Sequence, residues 1–177
     1  MHEFISHADA YIDLHGGDIP EDLVPFVISR AGDGAVDQKS KEMAMAFGLP
    51  YVLTVSKPVQ VAKGLSSYAG AAENGVPAIL AEGGGVGQLQ EDAVEMLVNG
   101  VVRVMKQLGM MAADGGANAE RRITEPKVLT AFEWVYSKHA GMWYSRVKAG
   151  DVLKKGQEMG TVGDLFGDTL ETVIAPV

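Results

Sequence analysis

The chain has 177 residues, 47% of them hydrophobic and 21% charged, a balance that supports a buried core and excludes wholesale disorder. Its 15 Lys and Arg against 23 Asp and Glu leave a formal charge of -8, the wrong sign for neutralising nucleic-acid phosphates or an anionic bilayer. The absence of cysteine excludes a disulfide scaffold, a thiolate zinc knot and a Cys nucleophile.

No apolar run approaches the roughly 20 residues of a membrane helix. Residues 1–8 carry His2, Glu3, Ser6 and His7 and lack the long apolar stretch of a signal peptide. A cytoplasmic protein with no nucleic-acid or membrane partner is therefore expected.

In chain order, residues 8–14 (ADAYIDL) read as a buried strand closing at His15. Residues 22–29 (DLVPFVIS) read as a second strand, with Pro25 pushing it toward a sheet edge. Asp33 is placed to cap a helix running to Phe47, with Gly48 just past its end. Residues 51–55 form a strand, 66–73 a short helix, and 78–81 (AILA) a strand running into Glu82 and a glycine cluster. The clearest element is a helix over 91–108. Val94, Leu97, Val98, Val101, Val102, Met105 and Leu108 make one apolar face, acidic residues stand at its start, and Arg103 and Lys106 near its end.

Strands alternating with helices over 8–109 predict an α/β sheet with helices on its faces. Residues 111–127, polar and glycine-bearing, read as a linker. Beyond it, short strands over 132–137, 142–148, 157–162 and 169–175, parted by tight turns, predict a small all-β unit.

Of the four histidines, none heads an H-E-x-x-H or H-x-x-E pair. His15 closes an apolar strand and precedes Gly16 and Gly17, and ligands of open α/β sheets gather at such carboxyl ends. Asp13, two residues earlier, shares its face and is placed to fix the imidazole tautomer. A surface histidine beside a structural aspartate remains the alternative. Glu82 also closes an apolar strand, with glycines leaving space around it. A carboxyl so placed has its pKa raised and suits a general base, the alternative being a solvated loop glutamate.

The run Gly83 to Gly87 fails the dinucleotide-binding spacing, because the third position is Gln90 and no acidic residue follows about 20 positions on. Three consecutive glycines are instead expected to let something bulky approach the backbone in a cleft. There is no G-x-S-x-G, and Met43, Met45, Met110 and Met111 read as core filler.

With DLHGGD (Asp13 to Asp18), EDLVPFV after it, PAILAEGGG (Pro77 to Gly85) and the long helix, the chain resembles the succinylglutamate desuccinylase/aspartoacylase family. These are zinc hydrolases with a carboxypeptidase-like mixed sheet and flanking helices. The tail GMWYSRVKAGDVLKKGQEMG (Gly141 to Gly160) resembles the biotinyl/lipoyl-like module of many members.

The resemblance implies a partial zinc-hydrolase α/β domain over 1–127 and a small, incomplete lipoyl-like β domain over 128–177. It implies His15 as a Zn2+ ligand with Asp13 behind it, Glu82 as the general base that activates water, and Tyr68 near a substrate-contacting tyrosine whose accompanying arginine is absent. The substrate would be an N-acyl amino acid or related small amide, and a homo-oligomer the expected state. The family's H-x-x-E ligand pair and Asn-Arg substrate clamp have no counterpart in this sequence. It therefore reads as a piece of a larger enzyme, a truncated non-catalytic module, or a part completed in trans by a partner chain.

Overall fold

A computed structural model describes residues 5, 7–55, 66–112, 123 and 125–177. His2, Glu3, Ser6 and most of the expected linker lie outside the described residues. The chain divides into two compact units, Met1–Phe132 and Glu133–Val177, a boundary five residues beyond the expected one.

The first unit holds strands β1 (Tyr11–His15), β2 (Phe26–Arg30), β3 (Tyr51–Val55), β4 (Ala78–Glu82) and β5 (Lys127–Leu129), with helices α1 (Ala35–Phe47), α2 (Ser67–Glu73) and α3 (Glu91–Gln107). The strands form one mixed sheet in the order β1-β4-β2-β3-β5. Only β2 and β4 run antiparallel; the other neighbouring pairs are parallel.

Side chains alternate across this sheet, and both of its faces are covered. On one face Val27, Val52, Ile79 and Ala81 meet Met43 and Phe47 of α1 and Val104 of α3. On the other, Ala78 and Leu80 meet Tyr68, Ala69 and Ala71 of α2, with Tyr11 and Ile28 packed alongside. This double cover explains why β4 reads as unbroken AILA. The same parity assigns Asp13, His15 and Glu82 to the α2 face.

Two expectations need correction here. Strand β2 is central in the sheet and not at an edge. Pro25 sits one residue before its start, so no ladder N–H is lost. The α1 N-cap is Gly34, with no side-chain cap bond, and not Asp33. Gly48 does end α1, in the left-handed region at φ 82, and Arg103 donates from Nε to the Phe47 carbonyl at 2.9 Å.

Strand β5 falls where a linker ended in the sequence reading; its three residues pair with β3 from Tyr51↔Lys127 to Leu53↔Leu129. Among the described residues no helix is long and apolar enough to cross a membrane.

The second unit carries β6 (Met142–Ser145), β7 (Glu158–Gly163) and β8 (Thr169–Ile174) in one antiparallel sheet. Residues 132–137, expected as a strand, lie outside any strand; within them the rings of Trp134 and Tyr136 stack at 6.1 Å.

Candidate active site

Strands β1 and β4 are parallel neighbours in register from Tyr11↔Ala78 to His15↔Glu82. The two positions that the sequence singled out are therefore the last residue pair of adjacent strands, at their carboxyl ends. His15 Nδ1 stands 3.4 Å from Glu82 Oε1. On the other side of the ring, His15 Nε2 stands 3.2 Å from Asp13 Oδ1. The imidazole is half exposed, whereas the Asp13 and Glu82 side chains are only 19% and 17% exposed.

The Asp13 carboxylate is itself held. The hydroxyl of Ser67, the first residue of α2, donates to Asp13 Oδ2, leaving Oδ1 turned to the imidazole. A neutral imidazole carries one N–H, so it cannot donate to both carboxylates. A proton on Nε2 satisfies the fixed Asp13 and leaves the Nδ1 lone pair facing Glu82.

Burial is the main reason the Glu82 carboxyl holds its proton above the ordinary range. A protonated His15 ring draws that pKa back down, and the nearby Glu21 charge pushes it up. A carboxyl whose pKa is raised in this way is a stronger proton acceptor than an ordinary one.

The glycines have a different task from the one expected of them. The turn after β1 lies directly against the loop after β4. Gly83 N–H donates to the His15 carbonyl at 3.1 Å, Gly87 N–H to the Gly17 carbonyl at 3.2 Å, and Val86 N–H to the Glu21 carbonyl at 2.8 Å. A Cβ at Gly17 would stand 2.8 Å from Gly85 Cα, and one at Gly85 would stand 2.9 Å from the Glu21 carbonyl oxygen. What approaches Gly85 is the chain's own backbone, whereas Gly83 and Gly84 face the side chains of Leu97 and Ala93. The contact locks the two loops together.

Tyr68 does not stand open beside these groups. It is 5% exposed, packed in the α2-face cluster, and burial raises its pKa. His139 belongs to the second unit, where it pairs with Glu171 at 3.4 Å.

Zinc, the metal that the family resemblance implies, tests this donor set. The Nδ1 lone pair facing a carboxylate is an arrangement that a cation satisfies, so His15 fits as one donor. Asp13 and Glu82 address opposite nitrogens of the ring and do not converge with it on one point. Among the described residues no group of three or more His, Cys, Asp and Glu side chains is arranged to hold a metal ion. Catalytic zinc takes three protein ligands, and the described residues do not make that shell by themselves.

Sequence reasoning missed Ser67 and Glu21. Ser67 follows another serine at a helix start, where hydroxyls ordinarily serve as caps, and Glu21 sits in an acidic loop with no distinguishing pattern.

Residues 1–108 match the succinylglutamate desuccinylase/aspartoacylase catalytic domain. An N-alpha-acetyl-L-2,4-diaminobutyric acid deacetylase of Halomonas elongata is 27% identical over 159 residues, which are 89% of this chain and 45% of that protein. The chain thus spans less than half the length of that relative.

Among solved structures, the apo ectoine utilization protein EutE (DoeB) of Ruegeria pomeroyi superposes with a TM-score of 0.80 at 22% identity, over 98% of this chain and 54% of that one. A succinylglutamate desuccinylase/aspartoacylase of Rhodobacter sphaeroides gives 0.79 at 19% identity, over 97% and 52%. At these identities the likeness shows the fold, while the match over residues 1–108 shows the family. The chain belongs to the succinylglutamate desuccinylase/aspartoacylase family.

Proposed function

We propose that the chain carries part of the active site of a zinc-dependent amide hydrolase that releases the acyl group from an N-acyl amino acid or a related small amide. The observation that carries this reading is the register pair His15↔Glu82, with an imidazole nitrogen 3.4 Å from a carboxyl whose pKa burial raises. The deacetylase of N-alpha-acetyl-L-2,4-diaminobutyric acid among the relatives supports an N-acetylated amino acid as the substrate class.

In this reading Glu82 acts as the general base. It takes a proton from the water whose oxygen attacks the amide carbonyl, and then delivers that proton to the nitrogen as the C–N bond breaks. An amine is a poor leaving group until it is protonated, so one carboxyl serves both halves of the reaction. A positioned base of this kind contributes on the order of 10²–10⁴-fold. His15 offers Nδ1 as one zinc donor, and the further donors come from outside the described residues. When bound, the metal supplies Lewis acidity toward the carbonyl.

Tyr68 is not assigned a substrate contact, because its ring is committed to the core. The second unit is read as a lipoyl-like β module without a carrier lysine. Lys154 and Lys155 precede an ordinary turn, with the Lys154 N–H bonded to Gln157 Oε1 at 3.1 Å. The assembly is expected to be a homo-oligomer.

The test is Glu82→Gln in the active enzyme. Turnover of N-acyl amino acids falls by about 10²–10⁴-fold while zinc content is unchanged; equal loss of zinc would make Glu82 a ligand and overturn its role.

The donor count among the described residues supports a second reading, a non-catalytic binding or assembly module, or a part completed in trans by a partner chain. Elemental analysis separates the readings. Stoichiometric zinc that depends on His15 supports the enzyme, and its absence from this chain alone supports the alternatives. Native mass spectrometry then identifies a completing partner.

A further inference from the structure

A catalytic carboxylate–imidazole pair is only as well defined as the groups that hold it, and here the holding group lies on a different element from the strands. The hydroxyl of Ser67 at the start of α2 donates to Asp13 Oδ2, and Asp13 Oδ1 faces His15 Nε2 at 3.2 Å. His15 Nδ1 then faces Glu82 Oε1 at 3.4 Å. Four side chains from β1, β4 and α2 form one continuous chain of polar contacts, ordered Ser67, Asp13, His15, Glu82.

We propose that Ser67 is a positioning residue: by holding one oxygen of Asp13 it turns the other toward His15, fixes the imidazole proton on Nε2 and keeps the Nδ1 lone pair aimed at the Glu82 side. The chemical logic runs through the inventory of donors. Ser67 has one O–H, Asp13 only accepts when ionised, and neutral His15 has one N–H. With the Ser67 proton on Oδ2, the remaining acceptor Oδ1 claims the His15 N–H, and Nδ1 is left without a proton. Remove the hydroxyl and Asp13 is free to rotate about its terminal torsion, which is broad for this side chain. Water then competes for Oδ1 and the tautomer is no longer imposed.

The location of Ser67 makes this holding rigid. Helix α2 is pinned to the same sheet face by Tyr68, Ala69 and Ala71 packed against Ala78 and Leu80. The hydroxyl is thus carried on a packed helix and not on a loop tip, and partners of ligating or reacting histidines act by such fixed geometry.

This inference rests on the reading of His15 as a zinc donor and Glu82 as the general base, but its primary readout does not. Long-range nitrogen–proton correlation spectra of the whole chain, free of metal and on the alkaline side where the ring signals no longer change with pH, report the His15 tautomer directly. The wild type is expected to show the Nε2–H form, Ser67→Thr to retain it, and Ser67→Ala to give a mixture. Asp13→Asn, whose amide can itself donate to Nε2, is expected to move the proton to Nδ1.

In the active enzyme Ser67→Ala is expected to lower kcat by about 10–100-fold, the range for outer partners of such histidines, with KM changed less and Ser67→Thr restoring most of the loss. An Nδ1–H wild type, or a Ser67→Ala spectrum identical to that of the wild type in a variant that melts cooperatively, overturns the proposal. Absence of hydrolysis together with the expected spectra would sink the hydrolase reading and leave the role of Ser67 intact.

Discussion

His15 and Glu82, far apart along the chain, are the final register pair of two parallel strands, and their side chains meet with Nδ1 and Oε1 3.4 Å apart. Ligands of open α/β sheets gather at the carboxyl ends of parallel strands, which is where this pair stands. His15→Ala deletes the imidazole at this point. On the proposed function it is expected to weaken zinc binding by more than the roughly 10–100-fold that losing an outer partner costs, read by competition with a chromogenic chelator. Unchanged affinity would remove His15 from the donor set.

How much of this was legible depends on what each feature needs. Strands β3 and β4 and helix α3 announced themselves because their signals are local: the apolar runs of Tyr51–Val55 and Ala78–Glu82, and the apolar face with dipole-matched charges of Glu91–Gln107. Strand β5 could not be seen, because three residues become a strand only by pairing with Tyr51–Leu53. Residues 132–137 carry an aromatic alternation that looks like a strand but takes no place in either sheet. His15, Asp13 and Glu82 stood out locally as polar groups closing apolar strands. The register that joins His15 to Glu82 is a property of the sheet, and no periodicity contains it. Ser67 is invisible for the same reason: its partner Asp13 lies on another element.

The contact between the loops after β1 and β4 gives a prediction that separates adjacent glycines. A Cβ at Gly17 would stand 2.8 Å from Gly85 Cα, whereas at Gly16 the nearest atom would be the Gly83 carbonyl oxygen at 3.7 Å, an ordinary contact. Gly17→Ala is expected to destabilise by about 1–3 kcal/mol, as overpacking does, and Gly16→Ala by clearly less. Urea denaturation measures both, and the reverse order would show that the loops do not pack backbone to backbone.

Helix α3 crosses α1 at a position with no room for a methyl group. A Cβ on Gly100 would fall 2.1 Å from the Phe47 ring, and Phe47 is fully buried. Alanine in a helix interior normally gains about 1 kcal/mol over glycine. Here Gly100→Ala is expected to lose about 1–3 kcal/mol instead, and adding Phe47→Leu to recover part of that loss. A stabilised Gly100→Ala protein in thermal melts would refute the close crossing of the helices.

In the second unit, Glu171 accepts the Lys138 N–H at 2.7 Å and faces His139 Nδ1 at 3.4 Å. Its pKa is lowered from 4.5, first by the Lys138 N–H bond and also by His139. The unfolded state therefore binds the Glu171 proton more tightly than the folded one, and the sign follows. This contribution is complete above about pH 4.5 and declines as pH falls through the lower folded value. Amide exchange at Lys138 should thus be slow at neutral pH and lose protection on acidification below about pH 4.5, relative to its own intrinsic rate. In Glu171→Gln the carboxylate is gone, so protection should be weaker at neutral pH and flat across the acid range. A Lys138 amide whose protection rises as the acid limb is entered would reverse the sign and sever the residue from Glu171.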